Sequence, residues 1–381
     1  EGFRAIKQND SLPQIKDTLA DVRKMVVDVR LLPLFKKRVV IDELSLHQAK
    51  INTNGFISDL RIKGELEELW LSSKGIDLDK ETVEVNGARL SDARLDIALS
   101  DTAAVDTTTS EVKWKINADS LSITRTDVTI HLPGDTLNVK AFMGHAVARG
   151  ADIDLGTSIY KVESLDWHDG TLAYDNRVEP EVKGLDYNHL ALRDIRLGID
   201  SINYTPQGTS FFVRQTALKE KSGLEITDLT GGVRLDSAFN NIQIPAFKLR
   251  TPDSDIMAEA DIDFNIADDL NPGKMKLRLN AQVGKQDLMR FMGDMPQKFI
   301  ERYPNPPLAI KGSLNGNMKH LDFTGLDITL PTALHLSADG TAENITDMRN
   351  LKADVKLSAR TQDLNFVTAL VDPKLTKDYR I

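Results

Sequence analysis

The side chains that could do chemistry in this chain are scattered along it. Its seven histidines include no pair at metal-ligand spacing. Two acid pairs, Asp152 with Asp154 and Asp261 with Asp263, have i, i+2 spacing. This spacing places both carboxylates on one face of a strand, where they could hold calcium or act as an acid and a base. Basic residues face the second pair in the hairpin described below, so a solvated charged face is the better interpretation.

A second candidate for reactivity is the segment Trp167–Gly170, in which His168 precedes Asp169. We interpret it as a tight turn between two strands. The chain contains no glycine-rich phosphate loop and no G-x-S-x-G elbow. It also lacks cysteine, which excludes disulfides and thiolate metal sites. The sequence therefore predicts a protein that is not an enzyme and that binds neither cofactor nor metal.

Composition describes a folded chain larger than one globular core. It has 381 residues, of which 41% are apolar and 28% charged. A net charge of −9 argues against a nucleic-acid partner. No apolar run approaches the roughly 20 residues of a membrane helix, and no signal peptide is visible. Because the chain begins at Glu1, we expect it to be a fragment of a longer protein.

The clearest structural pattern is an alternation of apolar and polar residues between Ile256 and Val283. A period of two indicates strands with one apolar face, and the turn-rich residues 268–273 indicate a hairpin. The best register places Ile262 opposite Leu277, and it places Asp261 and Asp263 opposite basic residues. The expected apolar lining comprises Ile256, Ala258, Ala260, Ile262, Phe264, Met275, Leu277, Leu279 and Ala281, together with Trp114, Ile116 and Ala118 from an earlier strand.

Further patterns organise the rest of the chain. We predict an N-terminal helix within residues 1–26, from Ile15, Leu19, Val22 and Val26. A second helix is predicted at 285–303, bent near Gly293 and Pro296, which packs over the sheet and closes one end of it. Asn86-Gly87 predicts a two-residue hairpin turn. Apolar triples with steps of two and then five recur as Leu44/Leu46/Ile51, Leu69/Leu71/Ile76, Leu121/Ile123/Val128, Leu190/Leu192/Leu197 and Ile242/Ile244/Leu249; each would need a bulge or a tight turn.

Two helices are too few to cover so many one-sided strands. Their apolar faces must close into a barrel, pair with a second sheet, or hold something apolar. The lining is aliphatic and aromatic content is only 6%, which suits acyl chains better than sugars. Three hypotheses stay open: a lipid groove, a structural or protein-binding β-sandwich spacer, and a carbohydrate-binding or adhesin-type β protein.

Several segments resemble one family. They are the entry Pro33-Leu34-Phe35 into residues 39–46 and 51–53, together with residues 184–189, 219–224, 251–254 and 284–288. Across residues 27 to 372 the chain resembles AsmA-like and TamB-type translocation and assembly proteins of the Bacteroidetes kind. The resemblance implies the N-terminal periplasmic portion of a protein anchored by one inner-membrane helix, with a C-terminal domain that engages an outer-membrane barrel partner. This portion would lack both of those parts.

The resemblance also implies an architecture and a role. It implies a long twisted antiparallel sheet curled into an open apolar groove, which carries phospholipid between the two membranes of the envelope and supports outer-membrane protein assembly. On this basis we expect residues 1–26 to form a helical entry, 27–284 the groove strands, 285–303 the covering helix, and 304–381 a continuation of the groove.

Overall fold

In a computed structural model, the chain is mainly β with few helices, which confirms the predicted fold class of an open, curled antiparallel sheet. The structure describes residues 2–8, 16–53, 60–99, 113–132, 134, 136–238, 240–266, 268, 271–347 and 349–370. The chain divides into two compact units. Unit 1 comprises Glu1–Glu181, Tyr187–Pro206 and Leu218–Lys221, and unit 2 comprises Val182–Asp186, Gln207–Ala217 and Ser222–Ile381.

Unit 1 is a single sheet in which each strand pairs with the next one along the chain. Its strands are β1 Phe3–Gln8, β2 Lys16–Arg30, β3 Arg38–Asn52, β4 Leu60–Asp77, β5 Thr82–Leu99, β6 Lys115–His131, β7 Leu137–Asp154, β8 Ile159–Asn176 and β9 His189–Thr205. All of these pairings are antiparallel except β5 with β6, which is parallel. Residues 101–111, between these two strands, lie outside the described residues.

Unit 2 is an antiparallel sheet that also carries the helices. Its elements are β10 Gly208–Glu220 (residues 208–217 belonging to this unit), β11 Glu225–Ile226, β12 Asp228–Asp236, β13 Asn241–Arg250, β14 Asp255–Asp263, β15 Met275–Val283, α1 Lys285–Met292, α2 Gln297–Arg302, β16 Leu308–Gly316, β17 His320–Leu330, β18 Leu334–Glu343 and β19 Lys352–Thr361. From β12 onward each strand pairs with the next one. A 3-10 turn, Val367–Ala369, follows β19.

The N-terminal helix prediction is wrong for the described residues, because residues 16–30 form strand β2. Its apolar face carries Val22 opposite Ala49 and Met25 opposite Leu46. Arg23 is left out of the pairing between them, opposite Gln48, so two inward-facing side chains lie three positions apart although the register does not shift. A spacing of three is also a helical spacing, and this irregular strand therefore imitates a helix in sequence. The predicted N-terminal part of the helix, including Ile15, lies outside the described residues.

The hairpin turn predicted at Asn86-Gly87 is also wrong, since both residues lie inside β5. The Asn86 side chain donates a hydrogen bond to Ser72 Oγ at 3.1 Å across the strand pair. A Cβ on Gly87 would lie 3.2 Å from the ring of Trp70. The glycine is therefore explained by the close approach of an aromatic ring on the neighbouring strand.

The central helix forms where the sequence predicts it and is interrupted where it predicts a bend. Helix α1 ends at Met292, and Gly293 has a positive φ of 70° that a glycine adopts without strain. Pro296 then precedes α2, with the fixed φ that starts a new helix. These helices pack at one end of the strands, as described below.

Candidate functional site

The apolar side chains of unit 1 align from strand to strand. Two of the resulting rows are Leu46, Leu69, Leu90, Ile123, Ala146, Trp167 and Leu197, and Leu44, Leu71, Ala88, Leu121, Ala148, Leu165 and Ile199. Each member is the direct cross-strand partner of the next. Seven consecutive strands, β3 to β9, therefore share one continuous face that is almost wholly aliphatic.

The opposite face of the same strands is charged. A row there runs through Lys50, Glu65, Arg94 and Asp127. Lys50 Nζ lies 2.9 Å from Glu65 Oε1, and Arg94 Nε lies 3.8 Å from Asp127 Oδ2. These ion pairs are exposed, so each adds little stability and the face is a solvated one.

A line of backbone irregularities crosses the sheet of unit 1 midway along its strands. Five non-glycine residues on it have left-handed φ angles: Gln48 (52°), Asp92 (52°), Arg125 (46°), Asp169 (55°) and Asp194 (56°). We call this line the crease. A residue with a left-handed φ interrupts the regular pleat of its strand, so such residues aligned on successive strands allow the whole sheet to bend along one line. Strands of 15 to 18 residues can thereby curl at their middle.

Local backbone irregularities account for the repeat of apolar triples, since one falls within the five-residue step of every copy. Register shifts confirm the predicted bulge in three copies: between Ser72 and Gly75 in the second, beside Asp194 in the fourth, and between Ile244 and Phe247 in the fifth. In the first and third copies the crease residues Gln48 and Arg125 have left-handed φ angles without a register shift. The odd step keeps the third apolar side chain on the same face as the first two.

Side chains next to the crease are the most deeply buried on the apolar face. Ala49 is 1% exposed and Thr126 is fully buried, and Val22, Leu66, Ala93 and Ile195 are buried as well. The aliphatic side chains are therefore packed most closely along the crease. On the opposite face, Arg125 binds Asp92 through two hydrogen bonds of 2.6 Å, joining the crease of β5 to that of β6. Those bonds lower the pKa of Asp92.

Away from the crease the aliphatic rows are not covered by polypeptide. Apart from a single 3-10 residue, Gly134, the helical structure in the described part of unit 1 is the 3-10 turn Leu32–Lys36, which joins the ends of β2 and β3. Most side chains of the rows are half-buried, and Leu121 in the middle of β6 is 37% exposed. In a sandwich core a second sheet would bury these residues. Within this unit the described residues supply no such layer.

Two of the three site residues predicted in unit 1 lie at this face. Ile116 and Ala118 are on β6, and Ala118 is buried between Val85 of β5 and Ala151 of β7. Trp114 precedes the strand, is half-buried, and accepts a backbone hydrogen bond from Leu155 at 3.0 Å.

In unit 2 the predicted lining residues of β14 and β15 share one face. Ile256, Ala258, Ala260, Ile262, Met275, Leu277 and Leu279 are half-buried, and Ala281 is buried. One row extends across seven strands through Leu249, Ile256, Ala281, Ile310, Ile328, Leu336 and Ala359. Phe264 is the exception. It lies beyond the end of β14, is 55% exposed, and donates its backbone N–H to Asn240.

The hairpin register differs from the prediction by two residues. Ile262 pairs with Met275, where the sequence pattern paired it with Leu277. The shift arises because Asp263 pairs its backbone N–H with the carbonyl of Lys274 at 2.9 Å, which makes the intervening turn longer. A shift of two residues preserves the side of each side chain, so the two faces are as predicted. Arg278 consequently faces Glu259, at 3.3 Å, where Asp261 was expected.

The helices of unit 2 cover the ends of strands and not the aliphatic face. Phe299 and Tyr303 of the α2 region pack with Leu330 and Ala333 at the turn between β17 and β18, and with Phe366 after β19. The contact is therefore made at one end of the strands. This agrees with the expectation that the helix closes one end of the sheet, but the helix does not pack over the apolar face. Leu277 and Leu279 are not part of this cluster.

Three of the family-like segments meet at Asp287 on α1, which is 1% exposed. Its carboxylate accepts hydrogen bonds from the Thr251 hydroxyl, from Ser254 Oγ at 2.7 Å, and from Arg290 Nη1 at 2.8 Å. The carbonyl of Arg290 accepts the backbone N–H of Leu185 at 2.9 Å. We call this group the Asp287 junction; it fixes α1 to the loop between β13 and β14.

The acid pair Asp261 and Asp263 is occupied by protein groups. The Asn241 amide donates to both carboxylates, at 2.9 and 2.7 Å. The backbone N–H of Lys274 donates to the second oxygen of Asp263 at 2.8 Å. The first acid pair is occupied in part, since Lys115 Nζ lies 3.0 Å from Asp154. A structural role for these acids agrees with the solvated-face interpretation.

Hydrogen bonding to Lys274 and then to Asn241 lowers the pKa of Asp263. Because the folded pKa lies below the unfolded one of about 3.9, this carboxylate stabilises the fold at higher pH. That stability is lost as the pH falls through the lowered pKa. We expect Asp263→Asn to lower the free energy of unfolding by about 1 kcal/mol at neutral pH, which is the scale of one hydrogen bond. In urea unfolding measured at several pH values, the variant should also lose less stability than the unchanged protein as the pH is lowered. Asp354→Asn, at an exposed position of β19, should change neither.

The segment Trp167–Gly170 is not a turn, because it lies inside β8 and Asp169 belongs to the crease. His168 Nδ1 lies 2.9 Å from Asp169 Oδ2, and the rings of His145 and His168 are 4.7 Å apart. Among the described residues no group of three or more His, Asp or Glu side chains could hold a metal ion. This part of the chain likewise contains no helix of the length and apolarity that crossing a bilayer requires.

The two-then-five repeat named the members of the aliphatic rows on β3, β4 and β6, and it named Leu197 on β9. It has no copy on β5, β7 or β8, so members such as Ala146 and Leu165 were missed. A comparison with protein-family models and with curated proteins finds no match to this chain.

Proposed function

We propose that the chain is a bridge-like scaffold whose aliphatic faces carry phospholipid acyl chains. The observation that supports the proposal most is the continuous aliphatic face of β3 to β9 in unit 1, which no described element of that unit covers. Uncovered apolar surface is costly in water, at about 25 cal/mol per Å². Acyl chains would remove that cost while their headgroups stay in water.

The arrangement also suits movement of lipid better than fixed binding. Neighbouring strands lie about 4.8 Å apart, so a seven-strand row spans roughly 30 Å. Successive strands present similar side chains, such as Leu46, Leu69 and Leu90, so an acyl chain meets a similar surface as it moves from strand to strand. Transport along such a surface needs no catalytic residue and would follow the lipid concentration.

The cellular setting in the proposal rests on the family-like segments. By that resemblance the protein acts in the periplasm and is anchored in the inner membrane. It conveys phospholipid between inner and outer membranes and supports outer-membrane protein assembly. Its parent protein would engage an outer-membrane barrel through a C-terminal part.

Photo-crosslinking tests lipid occupancy directly. A photo-reactive amino acid at Ile262 points to the apolar face of β14, whereas the same group at Met257, which is 47% exposed, points to the opposite face. We expect irradiation in cells, followed by mass spectrometry, to yield phospholipid adducts at position 262 and none at 257. Adducts at 262 formed only with residues of the same chain would instead support a structural spacer.

A further inference from the structure

One turn of unit 1 exposes large apolar side chains without any described cover. Leu31 is 71% exposed, Leu32 82% and Phe35 88%, and Leu34 is 43% exposed. All four lie in or beside the 3-10 turn Leu32–Lys36 that joins β2 to β3. This position is at the end of the strands, outside the aliphatic rows.

The backbone of the turn is satisfied internally. Leu34 N–H donates to the Leu31 carbonyl at 3.2 Å, and Lys37 N–H donates to the Leu34 carbonyl at 3.0 Å. Pro33 has no N–H to satisfy. Apolar side chains on a self-bonded backbone can enter a hydrocarbon phase without exposing backbone donors to it.

Basic residues flank the apolar ones on both sides. Residues 30–38 contain Arg30, Lys36, Lys37 and Arg38 and no acid, in a chain with net charge −9. Acids of neighbouring segments pair with three of them: Asp42 with Arg30 at 2.7 Å, Asp79 with Lys37 at 2.9 Å, and Glu84 with Arg38 at 3.6 Å. All three ion pairs are exposed, so these cations are open to exchange for lipid headgroups.

A neighbouring loop extends the same surface. Leu78, between β4 and β5, is 53% exposed, and its N–H lies 3.4 Å from the Lys37 carbonyl. Four or five apolar side chains form too small a patch for a stable protein interface, which needs about 800 Å² from each partner. A small apolar tip with basic flanks has the composition of an interfacial membrane anchor.

We propose that the turn formed by residues 31–35 inserts into the surface of a bilayer that contains anionic phospholipid, with Leu78 beside it. The apolar side chains enter the acyl region, and the flanking basic residues contact the headgroups. This membrane contact does not depend on whether the aliphatic rows carry lipid.

The absence of cysteine allows a clean test. An NBD fluorophore on Phe35→Cys should become about threefold brighter and shift to the blue when vesicles of phosphatidylethanolamine and phosphatidylglycerol are added, as expected for a probe in the acyl region. The same label on Val178→Cys, an exposed apolar position elsewhere in unit 1, should not respond. In unlabelled protein, L32E/F35E should lower vesicle binding at least about tenfold without changing the melting temperature, since both residues are exposed.

Three results would overturn the proposal. One is an unchanged signal at position 35 with anionic vesicles. Another is equal binding to pure phosphatidylcholine vesicles, which would remove the role of the basic residues. The third is a concentration-dependent signal without vesicles, together with dimers in sedimentation, which would identify a second copy as the occupant.

Discussion

Replacing Leu279 by aspartate is expected to remove bound lipid from the apolar face of unit 2 while the unit stays folded. The side chain is half-buried in the middle of β15, between Ala258 and Gly312. On an uncovered face the change costs about 1–2 kcal/mol of stability, because only part of a leucine is lost from an apolar environment. Placing an ionised carboxylate among acyl chains costs much more free energy than this, because the charge loses its hydration without gaining a partner. We expect co-purified phospholipid, measured by mass spectrometry, to fall about tenfold.

Asn280→Asp is the matched control, since it adds the same charge on the opposite, exposed face of the same strand. It should leave both lipid content and the urea midpoint unchanged. Unfolding of the Leu279→Asp variant would indicate a packed core, because a buried unpaired charge costs several kcal/mol. Unchanged lipid content in a folded variant would equally contradict carriage on this face.

The faces of the strands could be predicted because strand side chains alternate with period two. The predicted register at Ile262 was two residues out, yet every strand residue kept its side, since an even shift cannot change it. Register depends on the turn, and the contact between Asp263 and Lys274 that lengthens it leaves no periodic signal. Phe264 was assigned to the lining for the same reason.

Backbone irregularities explain the other errors of sequence interpretation. Asp169 and its neighbours are residue types that are common in turns. Asp169 has a left-handed φ angle, and this conformation occurs in turns and equally in a bulge inside a strand. In β2 the step from Val22 to Met25 crosses Arg23, which is left out of the pairing opposite the left-handed Gln48, and the resulting spacing imitates a helix. The two-then-five repeat marks irregular strands elsewhere, but it has no copy on β2 or β8 that could have prevented these two errors.

The parallel pairing of β5 with β6 could not be inferred from local patterns. The apolar residues of this pair resemble those of the antiparallel pairs in sequence, and Leu90 lies opposite Ile123 in the same row. Only the length of the connection separates a crossover from a hairpin. The position of the helices could be predicted only in part for a related reason. The apolar stripe on α1 and α2 shows that they pack, but not whether they cover the face of the sheet or only the ends of its strands.

Replacing Asp287 by alanine is expected to give the largest loss of stability among single substitutions in unit 2. The carboxylate is 1% exposed and accepts hydrogen bonds from Thr251, Ser254 and Arg290. Its removal leaves two buried hydroxyls without their acceptor and the guanidinium without its counter-ion. Breaking a buried charge pair by removing one partner costs about 3–5 kcal/mol. Urea unfolding followed by circular dichroism should show a loss of this size.

The same substitution at Asp294 is the control, because its ion pair with Lys183, at 2.9 Å, is exposed and should contribute less than about 1 kcal/mol. Asp287→Asn should fall between the two, since an amide oxygen still accepts from the hydroxyls but carries no charge for Arg290. Hydrogen exchange should increase first in α1 and in the loop at residues 251–254, which the junction holds together. A loss below about 1 kcal/mol for Asp287→Ala would mean that α1 is held chiefly by the apolar contacts of Leu288 and Met289.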